Sequence, residues 1–266
     1  MNMTTRKTYT TDLSDQEWQI IEPLLPGPKH LGRKIEYSRR EILNAIFASL
    51  RNGCTWRNLP GDFPPYGIVS YYYHTWRRSG HWQLLNDTLR TQLRLVEGRD
   101  PQPSAACLDS QSVKTAEIAG ERGYDAGKKV KGRKRHILVD TLGLLLIVVV
   151  HEASIQDLDG AKLVLTNVTG RLPRLAHIWA DGAYAGELLQ WVKTTCRCAL
   201  KIVKRSDKHQ GFQVLPRRWV VERTFSWLGR SLRLSKDYEY LPESEECWIY
   251  AAMIRLMLAR LAQSSS

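Results

Sequence analysis

Long apolar runs are missing from this chain of 266 residues. The longest, Leu142 to Val150 interrupted by Gly143, is under half of the about 20 residues needed to cross a bilayer as a helix, which excludes a membrane-spanning helix. The opening residues Met1-Asn2-Met3-Thr4-Thr5-Arg6-Lys7 have no apolar stretch behind their charges. No secretory signal is therefore expected, and the expected compartment is the cytoplasm. Cysteine is sparse: Cys54, Cys107, Cys196, Cys198 and Cys247 make an odd number, and the one Cys-x-Cys has no second pair to complete it. Reduced structural thiols and no zinc site are predicted. Acids are scarce as well, 27 Asp and Glu against 39 Lys and Arg, giving a formal charge of +12. An excess of that size predicts a polyanionic partner, either nucleic acid or an anionic surface.

What is present falls into two parts. Up to residue 98 apolar positions recur at helical spacing. Ser14-x-x-Glu17 opens a helix carrying Trp18, Ile21 and Leu25, stopped by Pro26 and Pro28, and Ser38-x-x-Glu41 opens one carrying Ile42, Ile46 and Leu50, closed by Gly53. Further helices are predicted over Ile68–Ser79 and from Trp82 to Val96. The polar, proline-bearing stretch 98–104 reads as a linker. A helical domain over 1–98 and an α/β domain over 104–266 are expected. In the second part, strands are predicted at Ala105–Leu108, His136–Asp140, Leu144–Val150, Leu175–Ala180 and Ala199–Val203. Helices are predicted from Asp159 to Val168, over Gly186–Thr194, from Pro216 with Val221, Phe225, Leu228 and Leu232 on one stripe, and over Glu245–Leu261. Three strands, helix, strand, helix, strand, helix is the element order of the ribonuclease-H-like mixed sheet, an analogy from order alone.

Three acids stand out by context. Asp109 follows the apolar run 105–108, and Asp181 ends the run 175–180 and precedes Gly182-Ala183-Tyr184. Acids beyond strand ends are placed for chemistry in an open α/β sheet, although each is also an ordinary turn residue. Glu222 lies about 100° round the helix from Val221, and its plain alternative is an i,i+4 ion pair with Arg218 worth about 0.2–0.5 kcal/mol. Between Lys201 and Lys236 ten basic residues accompany only Asp207 and Glu222, and between Arg122 and Arg135 seven surround a lone Asp125. Carboxylates take magnesium through hard oxygen donors, and two such ions serve in-line displacement at phosphorus. The strips are predicted to carry nucleic acid, through Lys128, Lys129, Lys131, Arg133, Lys134 and Arg135 in the first and Arg218, Arg223, Arg230 and Arg233 in the second. A solvated charged face is the ordinary alternative. On the helical leader, Tyr71-Tyr72-Tyr73-His74-Thr75-Trp76-Arg77-Arg78 sets aromatics beside cations. Arg77 and Arg78 are expected to touch phosphates, while the aromatics serve either base reading or the core.

These motifs together resemble the DDE transposases of bacterial insertion sequences, specifically the insertion-sequence-five family, over nearly the whole chain. Leu13–Trp18, Gly53–Pro60 and Tyr73–Arg77 resemble that family's helical leader, Leu108–Lys114 its first catalytic motif, Ala180–Tyr184 its second, and Arg218–Trp227 its third. The resemblance implies that Asp109, Asp181 and Glu222 are catalytic and bind metal, Mg²⁺ with Mn²⁺ as substitute, in two ions. It implies DNA partners, namely the element's terminal inverted repeats and target DNA, a homo-oligomeric active complex, and cleavage followed by strand transfer. The chain departs from the broader superfamily at Leu215 and Gly229, where tyrosine and lysine are frequent, with Arg230 one place beyond Gly229. No Gly-x-Ser-x-Gly accompanies Ser110 or Ser112, which speaks against a serine nucleophile. An inactive regulator and a nuclease that cuts without joining are the alternatives.

Overall fold

The computed structural model describes residues 6–27, 37–117, 120–203 and 218–264. Pro28, Lys204, Arg205, Asp207, Lys208, Leu215, Pro216 and Arg217, which enter the sequence reading, lie outside that set. Capping chemistry sets the first helices. Ser14 Oγ accepts the Glu17 N–H at 3.1 Å and the Glu17 carboxylate accepts the Ser14 N–H at 2.9 Å, starting α1 (Asp15–Ile21). This helix stops short of Leu25. Pro23 has no N–H to continue the ladder, and the chain tightens into a 3-10 turn over Glu22–Leu24. Ser38 Oγ accepts the Arg40 N–H and starts α2 (Arg39–Asn52), which Gly53 ends at φ 69°. The Glu41 carboxylate pairs with Arg6 at 2.5 Å. Then come α3 (Tyr66–Arg78) and α4 (His81–Val96).

The sheet contains β1 (Ala105–Lys114), β2 (Gly123–Asp125), β3 (Val130–Asp140), β4 (Leu145–Glu152), β5 (His177–Ala180) and β6 (Ala199–Ile202). Its order is β2-β3-β1-β5-β6, with β4 also on β3. β2 covers the start of β3 and β4 the rest, both antiparallel, as is β1 on β3. The β1-β5-β6 half is parallel. With α5 (Asp157–Thr166), α6 (Glu187–Thr195), α7 (Trp219–Leu228) and α8 (Pro242–Ser264), this is the ribonuclease-H-like mixed sheet flanked by helices, preceded by a helical leader.

β2 is a strand the sequence pattern does not predict, and three further elements differ from their sequence expectation. β3 begins at Val130 and takes in Arg133, Lys134 and Arg135, which the charge pattern concealed. β1 runs six residues past Leu108 because β3 pairs with it as far as Lys114. α7 ends at Leu228, so Leu232 falls in a separate 3-10 turn and is 58% exposed, off the apolar stripe. The β3–β4 turn is where it was expected, with Gly143 at φ 82°. A Cβ there would lie 2.9 Å from both Thr224 Oγ1 and the Trp227 ring, so the turn and α7 touch.

One apolar cluster joins the leader, α8 and one sheet face, with Ile21, Leu43, Leu89, Val139 and Ile254 among its members. The Tyr73 ring stacks on Trp248 of α8 at 4.4 Å, and its hydroxyl donates to the Ser244 carbonyl at 2.6 Å. Tyr73 and Trp76 are therefore core residues, while Tyr71 is 51% exposed. A second cluster, including Leu138, Val164, Ile178 and Val192, fills the space under α5 and α6. Among the described residues no helix is long and apolar enough to cross a membrane.

Candidate functional site

The parallel pairing of β1 with β5 brings the first two acids together. Cys107 pairs with Trp179, so Asp109 and Asp181, each two residues further on, emerge at the same level where the strands part. Asp109 is inside β1 rather than at its end, and its Oδ1 accepts the Ser110 N–H at 2.7 Å. Asp181 caps the 3-10 turn Gly182–Tyr184, with Oδ1 accepting the Ala183 N–H at 2.9 Å. Glu222, exposed in the first turn of α7, is the third. The helix packs on β1 and β3, which sets it over the same strand ends. Arg218 ties these elements together. Its Nη2 lies 3.5 Å from Asp181 Oδ2 and 3.5 Å from Glu222 Oε1, so those two oxygens are no farther apart than twice that distance. The i,i+4 pair with Glu222 is present, and the same guanidinium spans to the second acid.

Electrostatics mark the same place. Burial pushes the Asp109 carboxyl up to about 6; Asp181 adds to the rise, while the Ser110 N–H, Arg218 and Lys128 oppose it. The three acids have one arginine among them. In this arrangement no three His, Cys, Asp or Glu side chains among the described residues stand close enough to hold one ion. The donor set nevertheless suits a hard divalent cation: all its donors are carboxylate oxygens, and a cation would favour the ionised form that burial, with Asp181, disfavours at Asp109.

A polar chain beneath the acids fixes their strands. The Glu152 carbonyl, which only accepts, lies 2.8 Å from His151 Nδ1, so that nitrogen carries the proton. His151 Nε2 then accepts from His136 Nδ1 at 2.8 Å, and His136 Nε2 accepts from the Tyr184 hydroxyl at 3.0 Å. Burial drives His136 down to about 3, with His151 contributing, in keeping with a neutral ring. Helix α5 lies directly on the pair. A Cβ on Gly160 would come 2.5 Å from His136 Cε1 and 2.6 Å from His151 Nε2, which gives this mid-helix glycine its reason. Ser110, next to Asp109, donates to Asp157 Oδ1 at 3.0 Å, and Lys134 Nζ lies 3.0 Å from the same oxygen. The sequence reading missed this chain, because its members are distant in sequence and lack ligand spacing. The one available signal was Tyr184, three residues after Asp181.

The basic strips divide into surface and interior. Lys128, Lys129 and Lys131 are exposed, as are Arg78 and Arg230; Arg77, Arg218 and Arg223 are half-buried. Arg133, Lys134, Arg135 and Arg233 are buried, which corrects their expected place on a nucleic-acid surface. Arg133 gives its donors to Asp237 at 2.9 Å and to the carbonyls of Glu121, Glu239 and Tyr240. Arg135 pairs with Glu245 and donates to the Leu234 carbonyl at 2.8 Å. Arg233 pairs with Glu239, and Lys134 with Asp157 and Asp125. An unpaired cation does not survive burial, and each of these has an acid. Together the arginines pin the segment between α7 and α8 to the sheet.

Comparisons with known proteins bear on the family. The family model described as "Transposase DDE domain" matches residues 100–258, and "Putative transposase of IS4/5 family" matches residues 13–86. A Burkholderia cepacia protein, "Insertion element IS402 uncharacterized 16.2 kDa protein", is 32% identical over 124 residues, 44% of this chain and 78% of that protein.

Proposed function

This chain belongs to the DDE transposases of insertion sequences, and from that premise we propose that it binds the ends of its element, cleaves DNA there and joins the freed strand to a target. The observation that carries the reading is the convergence of Asp109 and Asp181 at the parting of two parallel strands, with Glu222 linked to Asp181 through Arg218. Asp109, Asp181 and Glu222 are assigned as the catalytic, metal-binding residues. Magnesium ions held by them, with manganese as substitute, would supply the Lewis acidity that in-line displacement at phosphorus needs.

The remaining steps belong to the chain. Arg218 exchanges its carboxylate partners for a phosphate oxygen when DNA arrives, a planar fork suited to that ligand. Lys128, whose Nζ reaches the Ser110 carbonyl at 3.3 Å, brings positive charge beside Asp109. Lys129, Lys131, Arg223 and Arg230 extend the phosphate contacts, and the leader over 1–98 reads the terminal repeats, with Arg77 and Arg78 on phosphates. The catalytic part is assigned to 104–266, and a homo-oligomer pairs the ends.

The test is a strand-transfer assay on DNA bearing the element's ends. Joined products are expected with Mg²⁺; nicks alone would favour a nuclease, and binding alone a regulator. Asp181→Asn should retain duplex binding while cleavage falls at least about 100-fold. Cleavage at the wild-type rate would remove the assignment.

A further inference from the structure

A cavity of about 520 Å³ opens between α2, α7 and α8, away from the three acids. Its floor is apolar, with Phe47, Leu228 and Met253. Its walls carry Arg51, Arg230, Arg255 and Arg260 and no acidic residue. One of the four is neutralised, since Arg255 pairs with Glu17. Arg51 gives a donor to the Arg230 carbonyl, and among the described residues neither Arg51, Arg230 nor Arg260 makes an ion pair.

Arg260 and the neighbouring Arg223 are held by stacking. Arg260 stacks on the Trp227 ring at 4.5 Å, and Arg223 contacts Trp227 at 4.5 Å and Trp219 at 4.4 Å. Trp227 is itself wedged against the Gly143 turn. A ladder of Trp219, Arg223, Trp227 and Arg260 thus runs from the turn that bears Glu222 into the cavity. Stacking holds each guanidinium plane and leaves donors on its edge for an acceptor. Burial, and then Arg223, hold the Arg260 guanidinium below its ordinary range against the opposing pull of Glu97 and Asp140.

Resting on the DNA-binding reading above, we propose that this cavity is a phosphodiester site for the DNA strand leading away from the carboxylates, contacted by Arg51, Arg230 and Arg260. From Glu222 to Leu228, where α7 ends on the cavity, is about 9 Å along the helix axis, two or three phosphates of one B-form strand. The site joins α2 of the leader to α7 and α8, so one strand touches both parts of the molecule.

The test is the salt dependence of affinity, measured by fluorescence anisotropy of the full chain with a labelled random-sequence duplex. Each lost phosphate contact lowers the slope of log affinity against log salt by about 0.9. The double variant Arg51→Gln/Arg260→Gln is expected to lower it by about 1.8, and Arg51→Lys/Arg260→Lys, which keeps the charge, by much less. Arg255→Gln, whose arginine already has Glu17, should leave the slope unchanged. On the wild-type chain, duplex DNA should protect Arg51, Arg230 and Arg260 from a dicarbonyl reagent, read by mass spectrometry, whether or not a variant folds. Tight, salt-dependent binding with an unchanged slope in the Gln double variant and no protection would overturn the cavity assignment alone. A wild-type chain without salt-dependent affinity would overturn the DNA-binding reading and the cavity with it.

Discussion

Two groups of acids and arginines lie in this molecule, and they are built on opposite terms. In the interior, Asp237, Glu239 and Glu245 meet Arg133, Arg233 and Arg135, one cation for each acid. Where β1 and β5 part, Asp109, Asp181 and Glu222 share Arg218, with Lys128 also acting on Asp109. The balanced group is closed to water and holds a chain segment in place; even there, burial pushes Glu245 up to about 8 against the pull of Arg135. The unbalanced group reaches solvent through Asp181 and Glu222 and has negative charge to spare. A surplus of one sign at a surface marks a place for a ligand of the other sign, whereas equal numbers inside mark architecture.

The comparison breaks most visibly in the interior. Arg135→Met should cost about 3–5 kcal/mol in denaturant unfolding at a pH above about 8, where Glu245 is ionised and is left buried without its cation; a loss under about 1 kcal/mol there would mean that the pair is not closed to water. Tyr184→Phe keeps the ring but leaves His136 Nε2 without a donor. A loss of about 1–3 kcal/mol and a cleavage rate reduced about 10–100-fold are expected, with duplex affinity unchanged. Equal cleavage by the variant would uncouple the imidazole chain from the acids.

Asp109→Asn should act in the other direction on stability. With its folded pKa near 6 and an unfolded value of about 3.9, the metal-free chain loses stability as pH rises from about 4 through about 6. Above that window the loss is complete. The asparagine variant lacks the penalty, so at pH 8 it should be more stable than wild type by roughly 1–3 kcal/mol while failing to cleave. Thermal melts at pH 4 and pH 8 check this, and a gain that is equal at both would sink it. The smallest effects belong to the exposed cations. Lys129→Gln and Lys131→Gln should change stability by less than about 0.5 kcal/mol, visible only as a shallower salt dependence of DNA binding.

Much of this was legible in the residues. The Ser14 box, the Gly143 turn and the strands leading to Asp109 and Asp181 follow from local patterns, and the element order gave the mixed sheet. Glu222 stood out as one of two acids in a cationic stretch, and the structure links it to Asp181 through Arg218. What stayed hidden is long-range. Arg133 and Arg135 look like surface until their acids, about a hundred residues downstream, fold onto them. The early end of α1 was written in Pro23, read past in favour of Pro26 and Pro28. No spacing rule connects His151, His136 and Tyr184, since their link runs across strands and a turn.

Helix α8 packs on α1, α2, α3 and α4 and also on β4, with Trp248 under Tyr73. A keel shared in this way packs the leader and the sheet into one apolar core on either side of residues 98–104. Under the proposed function, a terminal repeat gripped by the leader would be held at a set interval from the paired acids, as if by a ruler. Lengthening the connecting stretch by a few residues should leave the cut position unmoved, whereas loosening the Tyr73–Trp248 stack should blur it.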